Sequence, residues 1–254
     1  MNSQSSNLRF QMQDVPAAIL AGGLATRLRP ITQAIPKALV DVAGRPFIDH
    51  QLELLSRSGI RKVVLCLGHL GEQIEQYLGD GSSRGLEIRY SYDGDSPAGT
   101  GGAIRWATPM LGDAFWVMYG DSYMDIDYRA IFDHFAASDV LGLMTLIRND
   151  NQWDTSNAIF RDGKLLRYDK QNRSPEMNYI DYGVHLLRRE VITRLEVGAR
   201  VDLADLYRDL VAEERMIGFE VSQRFYEIGT PKSLDETRRY LQERDVQSPI
   251  PNAA

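Results

Sequence analysis

The chain has a single cysteine, Cys66, in 254 residues. That excludes internal disulfides and any cysteine-cluster zinc site. Its four histidines, His50, His69, His134 and His185, stand far apart and lack metal-ligand spacing. No apolar run approaches the ~18 residues that a membrane-spanning helix needs. The best candidate, Val15 to Ala21, is far too short. Positive charge is in deficit: 29 Lys and Arg stand against 35 Asp and Glu, a formal charge of −6. A general nucleic-acid binder carries a basic face, so neither a nucleic-acid nor a membrane partner is expected. Met1 to Asp14 lacks the basic start and apolar centre of a signal peptide, which predicts a cytoplasmic protein. After the first predicted strand there is no Gly-Lys-Ser/Thr and no Gly-x-Gly-x-x-Gly. A P-loop and a dinucleotide-binding dehydrogenase are therefore disfavoured.

What is present is ordinary for a globular fold: 43% hydrophobic and 25% charged residues, enough apolar material for a sizeable core. Val15 to Ala21 predicts a buried strand feeding the turn Gly22-Gly23. Pro46 suits a first helical position, with Phe47, Ile48, Leu52 and Leu55 on one face and Gly59 closing the helix. Val63–Leu67 predicts the next strand, and Leu70, Ile74 and Leu78 a helix. Leu86–Tyr92 and Phe115–Tyr119 read as further strands. Strands separated by helices predict βαβ units and an α/β fold, Rossmann-like, with a mainly parallel or mixed sheet flanked by helices. In the second half Val140–Ile147 and Tyr182–Leu187 are strand-like. Asn157–Phe160 and Leu165–Tyr168 flank Arg161-Asp-Gly163 as a small inserted β-hairpin. Leu203–Glu213 and Pro231–Glu243 read as helices. The expected organisation is one domain over 15–246, with flexible tails at 1–14 and 247–254.

In an open α/β sheet, ligands bind beyond the carboxyl ends of the strands. Gly22-Gly23 would bring backbone N–H groups to a phosphate with no Cβ in the way, and Arg27 and Lys37 would add charge. Taken alone, a glycine pair ending a strand is usually only a turn, and an aspartate after a strand, such as Asp121, can merely cap a helix. Cys66, the three tryptophans, His69 and His185 all read as structural.

The ordered set is more specific. Gly22-Gly-Leu-x-Thr-Arg-Leu-x-Pro30, Pro36-Lys-Ala-Leu-Val40, Gly44-Arg-Pro-Phe-Ile48, Gly99-Thr-Gly-Gly-Ala103, Tyr119-Gly-Asp-Ser122 and Glu227-Ile-Gly-Thr-Pro231 closely resemble the nucleotide-sugar pyrophosphorylases. These are nucleotidyltransferases that join a sugar 1-phosphate to a nucleoside monophosphate. The resemblance runs from about Ala17 to Leu241. It implies nucleotide binding by Leu20, Ala21, Gly22, Gly23, Thr26, Arg27, Gly99, Thr100 and Asp121, with Arg27 on the β- and γ-phosphates. Arg27, Lys37 and Asp121 become the catalytic set. Asp121 and Glu227 become ligands of a Mg²⁺ cofactor, and Lys170, Asn157, Asp181 and Gly183 hold the sugar phosphate. The mechanism asks for no nucleophilic side chain, in keeping with the absence of a Ser-His-Asp signature.

Three positions depart from the family pattern. Ala25 stands where a third glycine is common, so the loop is expected to keep backbone angles that a Cβ permits. Asp181 replaces an asparagine, turning a donor toward the sugar into an acceptor. Glu227 replaces an aspartate; as a surface residue it would instead pair with a cation such as Arg224. No hexapeptide repeats occur, unlike the bifunctional acetylating relatives. The motif combination looks nearest to bacterial heptose 1-phosphate guanylyltransferases. That implies GTP and D-glycero-α-D-manno-heptose 1-phosphate as substrates, in capsule and surface-polysaccharide synthesis. Mannose-1-phosphate guanylyltransferases, and uridylyl- or thymidylyltransferases, are the alternatives. A non-catalytic nucleotide-sugar sensor and a homo-oligomer also stay open.

Overall fold

The computed structural model describes residues 11–94 and 98–247. Ala17–Leu20 (β1) is an interior strand, buried on both faces, which is why its sequence is a continuous apolar run rather than an alternation. The short pair Asp41–Val42 (β2) and Arg45–Pro46 (β3) leads into the helix Phe47–Arg57 (α1). Pro46 precedes that helix instead of opening it, because it is engaged in the β2–β3 pair. Lys62–Leu67 (β4), Gly71–Leu78 (α2), Glu87–Tyr92 (β5), Gly99–Ala107 (α3) and Ala114–Tyr119 (β6) complete the first half. Strands β5, β4, β1 and β6 lie side by side and parallel.

Ser122–Tyr123 (β7), Tyr128–Ala136 (α4) and Gly142–Arg148 (β8) follow. Next come the hairpin Ala158–Arg161 (β9) and Lys164–Tyr168 (β10), then the long strand Tyr179–Arg188 (β11). Arg189–Thr193 (α5), Leu203–Ala212 (α6), Met216–Val221 (β12), Tyr226–Glu227 (β13) and Pro231–Gln247 (α7) finish the described chain. Strand β11 runs antiparallel to β6 and β8, and β12 joins β8 in parallel, so the sheet is mixed. The predicted hairpin extends this same sheet beside β11. Its turn places Asp162 and Gly163 at positive φ, as a two-residue hairpin requires.

Successive residues of β1 point to opposite faces, and each face has its own core. Ala17 and Ile19 pack with Phe47, Ile48 and Leu52 of α1, Ile74 of α2 and Phe132 of α4. Ala18 packs with Ile104 of α3, Val191 of α5 and Leu203 and Tyr207 of α6. Helices therefore cover both faces, leaving the carboxyl ends of β1, β4, β5 and β6 open at one rim. Part of the segment expected to fray is packed: Met12–Asp14 forms one 3-10 turn with Met12 buried, and Asp14 pairs with Lys62. The rest of that segment up to residue 10, and residues 248–254, lie outside the described residues. Among the described residues, no helix is long and apolar enough to cross a membrane.

Candidate active site

Strand ends and glycines build the rim. A Cβ on Gly22 would stand 3.0 Å from Gly68 N, and one on Gly120 2.8 Å from Leu20 O. These glycines let neighbouring strand ends close up. Gly23 is different: a Cβ there would meet no protein atom within 4 Å. Its bare backbone faces a cavity of about 300 Å³ lined by Leu20, Ala21, Lys37, Gly99, Tyr119 and Asp121, among others.

Ala25 overturns its expectation. It sits at φ +47, in the left-handed region where glycine is at ease and a Cβ is strained. The carbonyl of this residue accepts the Thr32 hydroxyl at 2.7 Å, which helps hold the turn. The 3-10 turn Thr26–Leu28 follows, anchored by buried Leu28. Arg27 is thereby directed away from the first cavity and lines a second one of about 700 Å³. There its Nη2 stands close to the Gly229 backbone.

Lys37 opens a 3-10 turn after Pro36, with Ala38 buried behind it. Its ammonium donates to Asp121 Oδ2 at 2.8 Å. Asp121 lies just beyond β6, and its own carbonyl accepts Ile228 N–H at 2.9 Å. The β7–β13 pair sets Glu227 opposite Ser122, the residue next to Asp121, so the two carboxylates predicted to share a metal are near neighbours across that pair. Glu227 Oε2 accepts the Gly229 N–H at 3.0 Å. Arg224 pairs with Glu236, not with Glu227.

Among the described residues no cluster of three or more His, Cys, Asp or Glu side chains could hold a metal by itself. The donor set nevertheless fits Mg²⁺, which takes one or two carboxylates and fills its octahedron with phosphate oxygens and water. Asp121 Oδ1 has only a long 3.3 Å contact from Ser122 Oγ.

Gly99, at φ +73, begins α3 where a Cβ would lie 2.6 Å from Val201 O, and Gly102 is equally close to Ala199 O. The glycine-rich run thus seats α3 against residues 199–201. The Thr100 hydroxyl accepts Leu203 N–H at 2.8 Å and donates to Asp202 at 3.0 Å, tying α3 to the start of α6. Gly99 and Thr100 still line the first cavity.

Two lining residues escaped the sequence reading. Cys66, read as core, borders the first cavity, and burial with the nearby Asp93 charge pushes its thiol up to about 12. Asp93, at the end of β5, is half-buried on the same wall. Burial raises its carboxyl above the ordinary carboxylate range, against one Ala98 N–H that lowers it. An acid just after an edge strand carries no pattern, and only topology aims it inward.

Tyr119 borders both cavities. The second also holds Asn157, Lys170, Asp181 and Gly183, so the four residues predicted to bind the sugar phosphate do converge. The Lys170 ammonium lies over the Tyr119 ring, 5.9 Å from its centroid. Asp181, expected to face the sugar as an acceptor, is instead turned inward, its side chain 2% exposed. Gly183 N–H donates to its Oδ1 at 2.9 Å and the Tyr168 hydroxyl to its Oδ2 at 3.3 Å. Asn157 Oδ1 accepts the Asp181 N–H at 2.9 Å. Trp116 is core, but Trp153 is half-exposed and lines the second cavity.

The nucleotidyl transferase family profile matches residues 16–244. The N-acetylmuramate alpha-1-phosphate uridylyltransferase of Neisseria meningitidis serogroup B is 33% identical over 87% of this chain and 96% of its own length. The mannose-1-phosphate guanylyltransferase of Mycobacterium tuberculosis is 28% identical over 87% of this chain, which spans 62% of that longer protein. Among solved structures, a Bacillus anthracis protein described as a glucose-1-phosphate thymidylyltransferase, in complex with a sucrose, superposes with a TM-score of 0.82. It is 21% identical, covering 94% of this chain and 98% of its own. HddC from Yersinia pseudotuberculosis complexed with GMP-PN gives 0.74 at 23% identity, covering 89% and 99%. With that match across nearly its whole described length, the chain belongs to the nucleotidyl transferase family, as a sugar-1-phosphate nucleotidyltransferase.

Proposed function

We propose that this enzyme transfers the guanylyl group of GTP to a heptose 1-phosphate, giving GDP-heptose and pyrophosphate. The observation that carries the base choice is Asp93. It stands on the nucleotide cavity just past β5, with β4 and β1 lying between it and β6 with its Asp121. A base lying toward Asp93 leaves its phosphates by Gly23 and Lys37. Guanine presents two donors, N1–H and N2–H₂, on one edge, matching the two oxygens of a carboxylate; uracil and thymine present one. The raised carboxyl of Asp93 fits a group short of donors until a ligand supplies them.

Lys37 and Arg27 would offset phosphate charge, and Lys170 would hold the sugar phosphate. Asp121 and Glu227 would hold Mg²⁺, which when bound supplies charge stabilisation on the phosphates. A sugar phosphate oxygen then bonds to the α-phosphorus in line with the departing α,β-bridging oxygen, and pyrophosphate leaves. Catalysis is positioning and charge stabilisation, so no side-chain nucleophile is used.

Crossing four nucleoside triphosphates with a panel of sugar 1-phosphates and measuring pyrophosphate release tests this. GTP with the heptose phosphate should lead. Asp93→Asn should lower kcat/KM for GTP about 10–100-fold while changing UTP use far less, since one bidentate contact is lost. An unchanged GTP-to-UTP ratio removes Asp93 from base selection. Gly23→Ala should unfold at the same temperature as the wild type, having nothing to strike. It should nevertheless raise the KM for the nucleoside triphosphate about tenfold, because its methyl blocks phosphate approach. A normal KM would place the phosphates elsewhere.

A second reading is uridylyl transfer to an acidic N-acyl sugar, supported by the 33% identity to the muramate enzyme. The outer wall of the sugar cavity carries Trp153, Phe225 and the cation Arg224. The same panel separates the two.

A further inference from the structure

The sugar cavity has a buried layer behind it that direct substrate contact does not explain. His185 is fully buried on β11, its Nε2 2.9 Å from Asp181 Oδ1. Asp181 Oδ2 in turn lies 4.0 Å from the Lys170 ammonium, which is 40% exposed at the cavity. The three form a line from the core to the pocket: imidazole, carboxylate, ammonium.

A carboxylate this deep is costly unless paired. Burial alone would push the Asp181 carboxyl up, yet His185 and Lys170 outweigh it and hold the group well below the usual carboxylate range. The surroundings offer few other charges. On β10 and α6, Tyr168 and Tyr207 are kept neutral by burial, and so is Tyr119 on β6. The Tyr207 ring lies against His185 at a tilt of 33°, with centroids 4.3 Å apart. On β8 the register partner is Met144, which carries no charge. At the start of α6, Asp202 is occupied by Thr100 and the Ala204 N–H. Asp181 therefore has two close partners to draw on, the His185 imidazole inside and the Lys170 ammonium facing the cavity.

We propose that His185 is a positioning residue: by engaging the Asp181 carboxylate from behind, it leaves the Lys170 ammonium for the phosphate of the sugar substrate. Without that contact the buried carboxylate competes with the phosphate for Lys170. The inference rests on the reading that Lys170 holds this phosphate. It names His185 as the residue that sets how strongly.

The test measures KM for the best sugar 1-phosphate and for the nucleoside triphosphate separately, in four proteins. Lys170→Ala checks the underlying reading: an unchanged KM for the sugar phosphate ends that reading, whatever His185 does. If it rises, His185→Gln should raise the same KM roughly tenfold or more, with kcat and the nucleotide KM within about twofold. Adding Asp181→Asn to His185→Gln removes the competing charge and should bring the sugar phosphate KM back near wild type. A merely structural histidine predicts otherwise: both KM values shift together, or the double variant fails to recover, and either result overturns the proposal. Should His185→Gln not fold, His185→Asn is measured in the same way, with and without Asp181→Asn. A sugar phosphate KM that does not rise in His185→Asn, or does not recover when Asp181→Asn is added, overturns the assignment.

Discussion

Lys37→Ala should reduce turnover by about 10²–10³-fold while leaving the fold intact. The size follows from removing one cation aimed at charge that builds up in the transition state. In the ligand-free geometry Lys37 is already ordered, 2.8 Å from Asp121 and held by a turn whose next residue is buried. The pair is partly exposed, with side chains 18% and 29% accessible, so it is a weak source of stability. Its value is placement. If Asp121 holds a metal, the carboxylate would gain another cation and the ammonium could turn to a bound phosphate without being left alone. Lys37→Arg should recover little, because a planar fork on a longer arm does not reproduce a point charge. Steady-state kinetics with circular dichroism as a fold check decides the matter. Wild-type turnover in Lys37→Ala would sink the assigned centre.

Asp121→Asn should be at least as damaging, about 10³-fold in turnover, with a higher Mg²⁺ requirement. Mg²⁺ demands near-octahedral geometry at ~2.0–2.1 Å and parts reluctantly with water, so a neutral amide is a poor replacement for a carboxylate. Glu227→Gln keeps shape and loses one charge, and should also move the Mg²⁺ titration, though less. Glu227 Oε2 is already tied to Gly229 N–H, which leaves its other oxygen to reach the ion. Glu227→Asp should do better than Glu227→Gln if a water bridges the missing methylene. Coincident Mg²⁺ curves for wild type and Glu227→Gln would remove Glu227 from the site and leave it a loop-stabilising acceptor.

The parallel half of the fold was legible because burial on both faces leaves unbroken apolar runs, as in β1, β4 and β6. Helix α1 was legible because its apolar spacing is regular. Helix α4 carried readable signals, the N-cap Asp127 and buried Ile131, Phe132 and Phe135, that the sequence reading did not use. Helix α3 is a different matter. Glycine disfavours helix, yet Gly99, Gly101 and Gly102 are demanded by the close approach of residues 199–201, about a hundred positions away. The ordered motifs named Lys37 and Asp121, which the fold brings into contact, but they carried no sign that the Asp181 side chain turns inward. A motif gives a residue's place along the strand. Whether a carboxylate turns outward to a sugar or inward to His185 depends on a register irregularity in β11 between Asp181 and His185. Ala25 likewise looked harmless, because sequence alone does not state φ.

Strand β6 has a parallel neighbour on one side, β1, and an antiparallel one on the other, β11, and Tyr119 at its end borders both cavities. That makes it a seam between two separately inheritable halves. On the proposed reading, donor chemistry falls to the loops after the parallel strands, and acceptor choice to the hairpin, β11 and the segments around Trp153 and Arg224. Changes at well-separated positions add nearly independently. Under that reading, changes on the antiparallel side would exchange one sugar for another and leave the nucleotide loops untouched.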